Sequence, residues 1–110
     1  MNQKERVVCA SSAYDKKYYF NEDFTRLPDS IKDELKIMSV IFTEDVGGIF
    51  MVEFDEDGNL RLVTDADEGD LLYDDIGAAL KIKQLQREKA QLFEELELFY
   101  RVFFMGEDIS

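Results

Sequence analysis

The chain has 110 residues, 45% of them hydrophobic and 13% aromatic, with 25 acidic and 13 basic residues, one cysteine, no histidine and a net charge of −12. That length and apolar content support one domain with its own core over residues 1–110. A single cysteine excludes an internal disulfide or a multi-cysteine metal site, the missing histidine removes the Ser/His/Asp and Cys/His catalytic sets, and the acidity disfavours nucleic acid and anionic membrane as partners.

Lys4–Ser11 and Lys16–Asn21 are short β-branched or aromatic runs separated by Ser-Ala-Tyr-Asp, which predicts an N-terminal hairpin. Alternation places Val7 and Cys9 on one face of the first strand, and Tyr18 and Phe20 on one face of the second. Cys9 then reads as a small core residue, since a nucleophilic thiol needs a neighbouring base and the usual one is missing. Pro28 opens a helix in which Ile31, Leu35, Met38 and Phe42 recur at spacings of four, three and four. Ile37, Val40 and Ile41 widen its apolar face, and Gly47-Gly48 ends it.

Phe50, Val52 and Phe54 alternate on a third strand, and Leu60 and Leu62 on a fourth. Putting both sets on one face pairs Phe54 with Leu60 and Val52 with Leu62, so Glu53 faces Arg61 and Glu56-Asp57-Gly58 forms a three-residue loop. The other face carries Ile49, Met51 and Val63, a half-apolar surface that needs a cover. From Asp70, read as an N-cap, one long helix is expected to run to about Met105 and stop at Gly106. Ala78, Ile82, Leu85, Lys89, Leu92, Leu96, Phe99 and Phe103 form a heptad-like seam along it, interrupted only by Lys89. The order ββαββα implies an α+β fold: a four-stranded antiparallel sheet packed against two helices, the C-terminal one long.

Charge is concentrated between Thr43 and Asp75, where twelve carboxylates stand against one cation, Arg61. Glu44 and Asp45 precede the third strand, while Asp65, Asp67, Glu68 and Asp70 follow the fourth, so these six meet at one pole of the hairpin. Oxygen ligands of this kind suit calcium or magnesium, yet the EF-hand spacing fails from both Asp55 and Asp65, and no metal ligand set or cofactor is assigned. The leading expectation is a non-catalytic interaction protein that presents the six-acid pole to a basic protein partner. The alternative is a calcium- or magnesium-binding protein, or a hydrolase using paired carboxylates. Along the C-terminal helix a basic block (Lys81, Lys83, Arg87, Lys89) precedes an acidic one (Glu94, Glu95, Glu97), a banding that suits an antiparallel homodimer through the seam.

Three segments, VVCASSAYDKKYYFN, DELKIMSVIFTEDVGG and DEGDLLYDDIG, resemble parts of a family of small acidic bacterial proteins classed as a domain of unknown function. The resemblance covers nearly the whole chain. It implies one intact domain, and no activity or site residue comes with it. No N-terminal segment has the pattern of a secretion signal and no apolar run approaches the ~18 residues of a membrane span, so a cytoplasmic setting is expected.

Overall fold

The computed structural model describes residues 6–106. β1 (Arg6–Ser12) and β2 (Lys17–Phe20) form the first hairpin, and α1 (Asp29–Val46) follows a short 3-10 turn at Glu22–Phe24. β3 (Ile49–Phe54) and β4 (Leu60–Asp65) form the second hairpin, and α2 (Asp75–Glu88) and α3 (Ala90–Phe104) complete the chain. The sheet has the order β2-β1-β3-β4 and is antiparallel at every pairing. The start of the first strand expected at Lys4 and Glu5 lies outside the described residues.

The second hairpin has the register that burial demands: Phe54 faces Leu60, Glu53 faces Arg61 and Val52 faces Leu62. Gly58 sits at φ +85° in its turn, a conformation open to glycine without a Cβ clash. The Asp55 carboxylate accepts the Asp57 and Asn59 amides, both at 2.9 Å, which closes the turn. Glu53 departs from the expected surface pair. It is buried, and its carboxylate stands 3.9 Å from the Arg61 guanidinium.

The first strand also departs from simple alternation. Val7 pairs with Glu53 and Cys9 with Val52, so two residues of β1 oppose one step of β3. This bulge places Val8 beside Cys9 in the core, both fully buried, and sends Val7 to the opposite face. From Cys9 onward the inner rows are regular: Phe20, Cys9, Val52 and Leu62, then Tyr18, Ser11, Phe50 and Thr64.

α1 packs on that face through Leu35, Met38 and Phe42. Its buried polar side chains are met by the sheet. The Ser11 and Thr43 hydroxyls lie 2.8 Å apart, and the Cys9 sulfur lies 3.7 Å from the Ser39 hydroxyl. Burial pushes the Cys9 thiol up, and likewise the Tyr18 phenol beside it. The helix ends where expected, with Gly47 at φ +82° donating its N–H to the Thr43 carbonyl.

The single long helix is replaced by two. Asp74, not Asp70, is the N-cap of α2, its carboxylate accepting the Gly77 amide at 2.8 Å. Lys89 then leaves helical dihedrals (φ −109°, ψ 21°) between α2 and α3. The two halves answer to different neighbours. α2 lies antiparallel to α1, tied by Lys81 to Asp45 at 2.8 Å and by Lys89 to Glu34 at 3.0 Å. α3 returns to the sheet beside β4, with Leu92, Leu96 and Tyr100 buried and the Glu97 carboxylate accepting the Leu60 amide at 2.9 Å. A straight helix could not serve both.

An aromatic cluster closes the end of the sheet opposite the acidic pole. Phe54 stacks on Tyr100 at 4.1 Å between ring centroids, and Phe24 contacts Phe104 at 4.8 Å and Phe54 at 6.0 Å. Each such pair adds about 0.5–1.5 kcal/mol beyond its area burial.

Candidate functional site

The acidic pole is assembled from four segments: the end of α1, the start of β3, the loop from Asp65 to Asp74, and the β1–β2 turn. Two backbone hydrogen bonds converge there. Ala13 donates to the Gly48 carbonyl at 2.9 Å, and Asp74 donates to the Val46 carbonyl at 3.3 Å. Gly48 lies so close to the Asp65 carbonyl and the Tyr73 ring that a Cβ would come within 2.5 Å and 2.6 Å of them. The close approach joins the loop to the sheet.

Tyr14 is the organising side chain, and sequence reasoning left it as an anonymous turn residue. Its hydroxyl accepts the Asp67 amide at 2.8 Å and donates to the Asp70 carboxylate at 2.6 Å. That bond, with a second from the Leu72 amide at 2.9 Å, holds the Asp70 carboxyl below its ordinary value, and the same contact raises the Tyr14 phenol. Asp70 is therefore a loop-ordering carboxylate. Its expected role as a helix cap has passed to Asp74.

Of the other acids, Asp45 is paired with Lys81 at 2.8 Å, and Asp65 accepts the amide of Ala66 at 2.9 Å. Glu44, Asp67 and Glu68 are exposed to solvent. Among the described residues no three carboxylates or thiols are gathered closely enough to hold a metal ion. The pole thus brings the six residues to one end of the fold but spreads them over its surface. What such an arrangement can do is attract and orient a cationic surface at close range.

The loop also displays apolar surface. Leu71 is 96% exposed and Leu72 93% exposed, flanked by Asp70 and by Asp74 and Asp75. Both sit on a loop fixed at Asp67, Asp70, Leu72 and Asp74 by the bonds above. Carried back from Ala78, the heptad seam meets Asp75 before it reaches Leu71, and Leu72 lies off it, which was the available signal in the sequence. Counted within an extended helix, they did not stand out.

The seam residues fall mostly inside the chain itself. Leu92 and Leu96 are buried, Ile82, Leu85 and Phe99 pack against the core, and Lys89 is bound to Glu34; Phe103 is half-exposed. Leu92 and Leu96 cannot meet a partner helix without leaving their own core.

No helix of the described residues is long and apolar enough to cross a membrane. No curated protein and no solved structure matches the chain. A family model does match, over residues 5–108 and so over nearly the whole chain, including every segment of the pole: the chain belongs to the DUF6145 family, a family of unknown function.

Proposed function

We propose that this protein is a non-catalytic, cytoplasmic interaction module that docks a basic protein partner on its acidic pole. The observation that carries the reading is the pair Leu71 and Leu72, almost wholly exposed on a loop held by hydrogen bonds and surrounded by carboxylates. An ordered loop that shows two adjacent leucines to water gains nothing in the free chain from their burial. Covering them does gain, at about 25 cal/mol per Å² of apolar surface, and the surrounding acids would select a partner whose apolar pocket has a basic rim. Charge supplies attraction and orientation, and the leucines supply area.

Self-association through the C-terminal helix, on this reading, draws on the exposed Leu98 and Phe103 and not on the buried Leu92 and Leu96. The test of docking compares proteins captured from native cytoplasm by the wild type, by Leu71→Ala/Leu72→Ala, and by Asp65→Asn/Asp67→Asn/Glu68→Gln. A partner lost with either variant, and lost from the wild type as salt rises, is expected. Capture of the same proteins by all three at equal yield would remove the pole from the function.

A further inference from the structure

α1 and α2 lie antiparallel, and their solvent side leaves a groove of about 650 Å³ between them. Its floor is apolar, made by Met38, Phe42 and Leu85. Its α1 wall is Ile37 and Ile41, one helical turn apart and 60% and 49% exposed. On α2, outside the groove lining, Leu80 stands one turn before the groove residue Gln84 and Ile76 one turn earlier still; these are 62% and 75% exposed. Two large aliphatic side chains, each roughly half in water, thus border the groove, with two more exposed on α2 beyond its end. A surface helix turned only to its own core shows no such second stripe.

The charges at the rim say what would fill it. Asp33, Glu34 and Glu88 line the groove together with Lys81 and Lys89. Each lysine is already answered within the chain, Lys81 by Asp45 and Lys89 by Glu34. The balance left at the rim is negative, and at the Lys81 end the groove adjoins Asp45 of the acidic pole. On α1 the lining spans Ser30 to Phe42, about 18 Å at 1.5 Å per residue, the length of roughly three turns of a docked helix. A β-strand occupant would ask for an exposed sheet edge, and the groove offers only helix surfaces.

We infer that the α1–α2 groove receives a basic amphipathic helix of the partner protein. Its apolar stripe, at spacings of three and four, lies against Ile37, Ile41 and Leu85, while its lysines or arginines face Asp33 and Glu88. This rests on the reading of the pole as a docking site for a basic protein, and it extends that site from the loop along the two helices.

The probe is a synthetic 14-residue peptide of leucine and lysine with its leucines on one helical face, beside a peptide of identical composition with the leucines spread around the helix. Binding is measured by fluorescence anisotropy in 150 mM salt. The variant Ile37→Glu/Ile41→Glu keeps helix-favouring residues at exposed positions and makes the groove more acidic. The one-faced peptide is expected to bind the wild type at one per chain, at least tenfold more tightly than the permuted peptide, and to lose at least tenfold on the variant despite the added negative charge. Equal affinity of the two peptides, or unchanged or tighter binding by the variant, would overturn the groove, since charge alone gives that result.

The pole variant Asp65→Asn/Asp67→Asn/Glu68→Gln separates the two readings in the same assay. If it weakens the peptide while Ile37→Glu/Ile41→Glu does not, the pole stands and the groove falls. If only the groove variant matters, the groove stands without the pole. Sedimentation of the chain alone tests a second copy as the occupant: a dimer split by Ile37→Glu/Ile41→Glu would overturn the assignment to a partner helix. A melting curve of that variant close to the wild type, expected for exposed positions, confirms that the losses are not unfolding.

Discussion

Gly48→Ala tests the architecture of the acidic pole, because two separable costs meet at that residue. Gly48 has φ +68° and Gly69, in the same pole, has φ +83°. An alanine at either position pays the left-handed backbone cost of about 1–2 kcal/mol. At Gly69 a Cβ meets open space, whereas at Gly48 it meets the backbone carbonyl of Asp65 at 2.5 Å and the ring of Tyr73 at 2.6 Å. A carbonyl in a paired strand cannot move aside as a flexible side chain could, so an overpacking cost of about 1–3 kcal/mol adds to the first. Gly48→Ala is therefore expected to lose roughly 2–5 kcal/mol, and Gly69→Ala about 1–2. With unfolding entropy near 2.1 cal/mol/K per residue, each kcal/mol is worth about 4 °C in a chain of this size, so the midpoints should fall by roughly 9–20 °C and 4–9 °C. Urea and thermal denaturation of the two variants side by side give the difference. A Gly48→Ala protein no less stable than Gly69→Ala would refute the close approach of the loop to the sheet.

Four other outcomes follow from the same contacts. Asp70 has its folded-state carboxyl below the ordinary 3.8, so the stability it contributes is present above that value and is lost as pH falls through the lower folded one. Tyr14→Phe removes its largest part, so the stability gap between wild type and variant should be widest near neutral pH and narrow in acid, and a gap constant down to pH 2 would contradict the assignment. Cys9, fully buried and with its thiol pushed up by burial, should react with a thiol reagent at pH 8 only as the chain unfolds; rapid stoichiometric labelling of the native protein would count against it. Leu96→Ala should cost about 2–5 kcal/mol with a urea midpoint independent of protein concentration, whereas a concentration-dependent midpoint would return the seam to a subunit interface. Millimolar calcium or magnesium should move the melting midpoint no more than a monovalent salt of equal ionic strength, and a saturable shift lost in Asp65→Asn/Asp67→Asn would establish a cation site.

The two ends of this sheet are held in different ways. The Phe54 end is closed by stacked rings from the turn after β2 and from α3. The Gly48 end is held by single hydrogen bonds and by the fit of one glycine, among carboxylates that repel one another. Residues that would suit the core, Leu71 and Leu72, are spent on the surface there. Ile37, Ile41 and Leu80 extend the same pattern along the helices. An aggregate of exposed aliphatics beside like charges lowers the stability of the free chain, and a partner that covers both would recover it.

The sheet was legible because its constraint is local and binary. Phe50, Val52, Phe54, Leu60 and Leu62 can share one face in only one register, and that register is present. The bulge at Val7–Cys9 was not legible, since Val-Val-Cys satisfies either face and only the pairing with β3 decides which residue is extra. The C-terminal helix failed for a related reason. Its heptad pattern lapses at one residue, Lys89, and a lapse looks the same in sequence whether the helix runs on or turns; what turns it is that α1 claims one half and the sheet claims the other, with Glu34 holding the corner. At the pole the six acids were found by their density, but Tyr14 was not, because its bonds to Asp67 and Asp70 span more than fifty positions of chain. Leu71 and Leu72 were concealed by their own hydrophobicity, which in a sequence argues for burial. Only the position of Asp74 as the helix cap, three residues before the Gly77 amide it accepts, leaves the two leucines ahead of α2 and in water. The cap residue thus decides whether this segment is core or exposed surface.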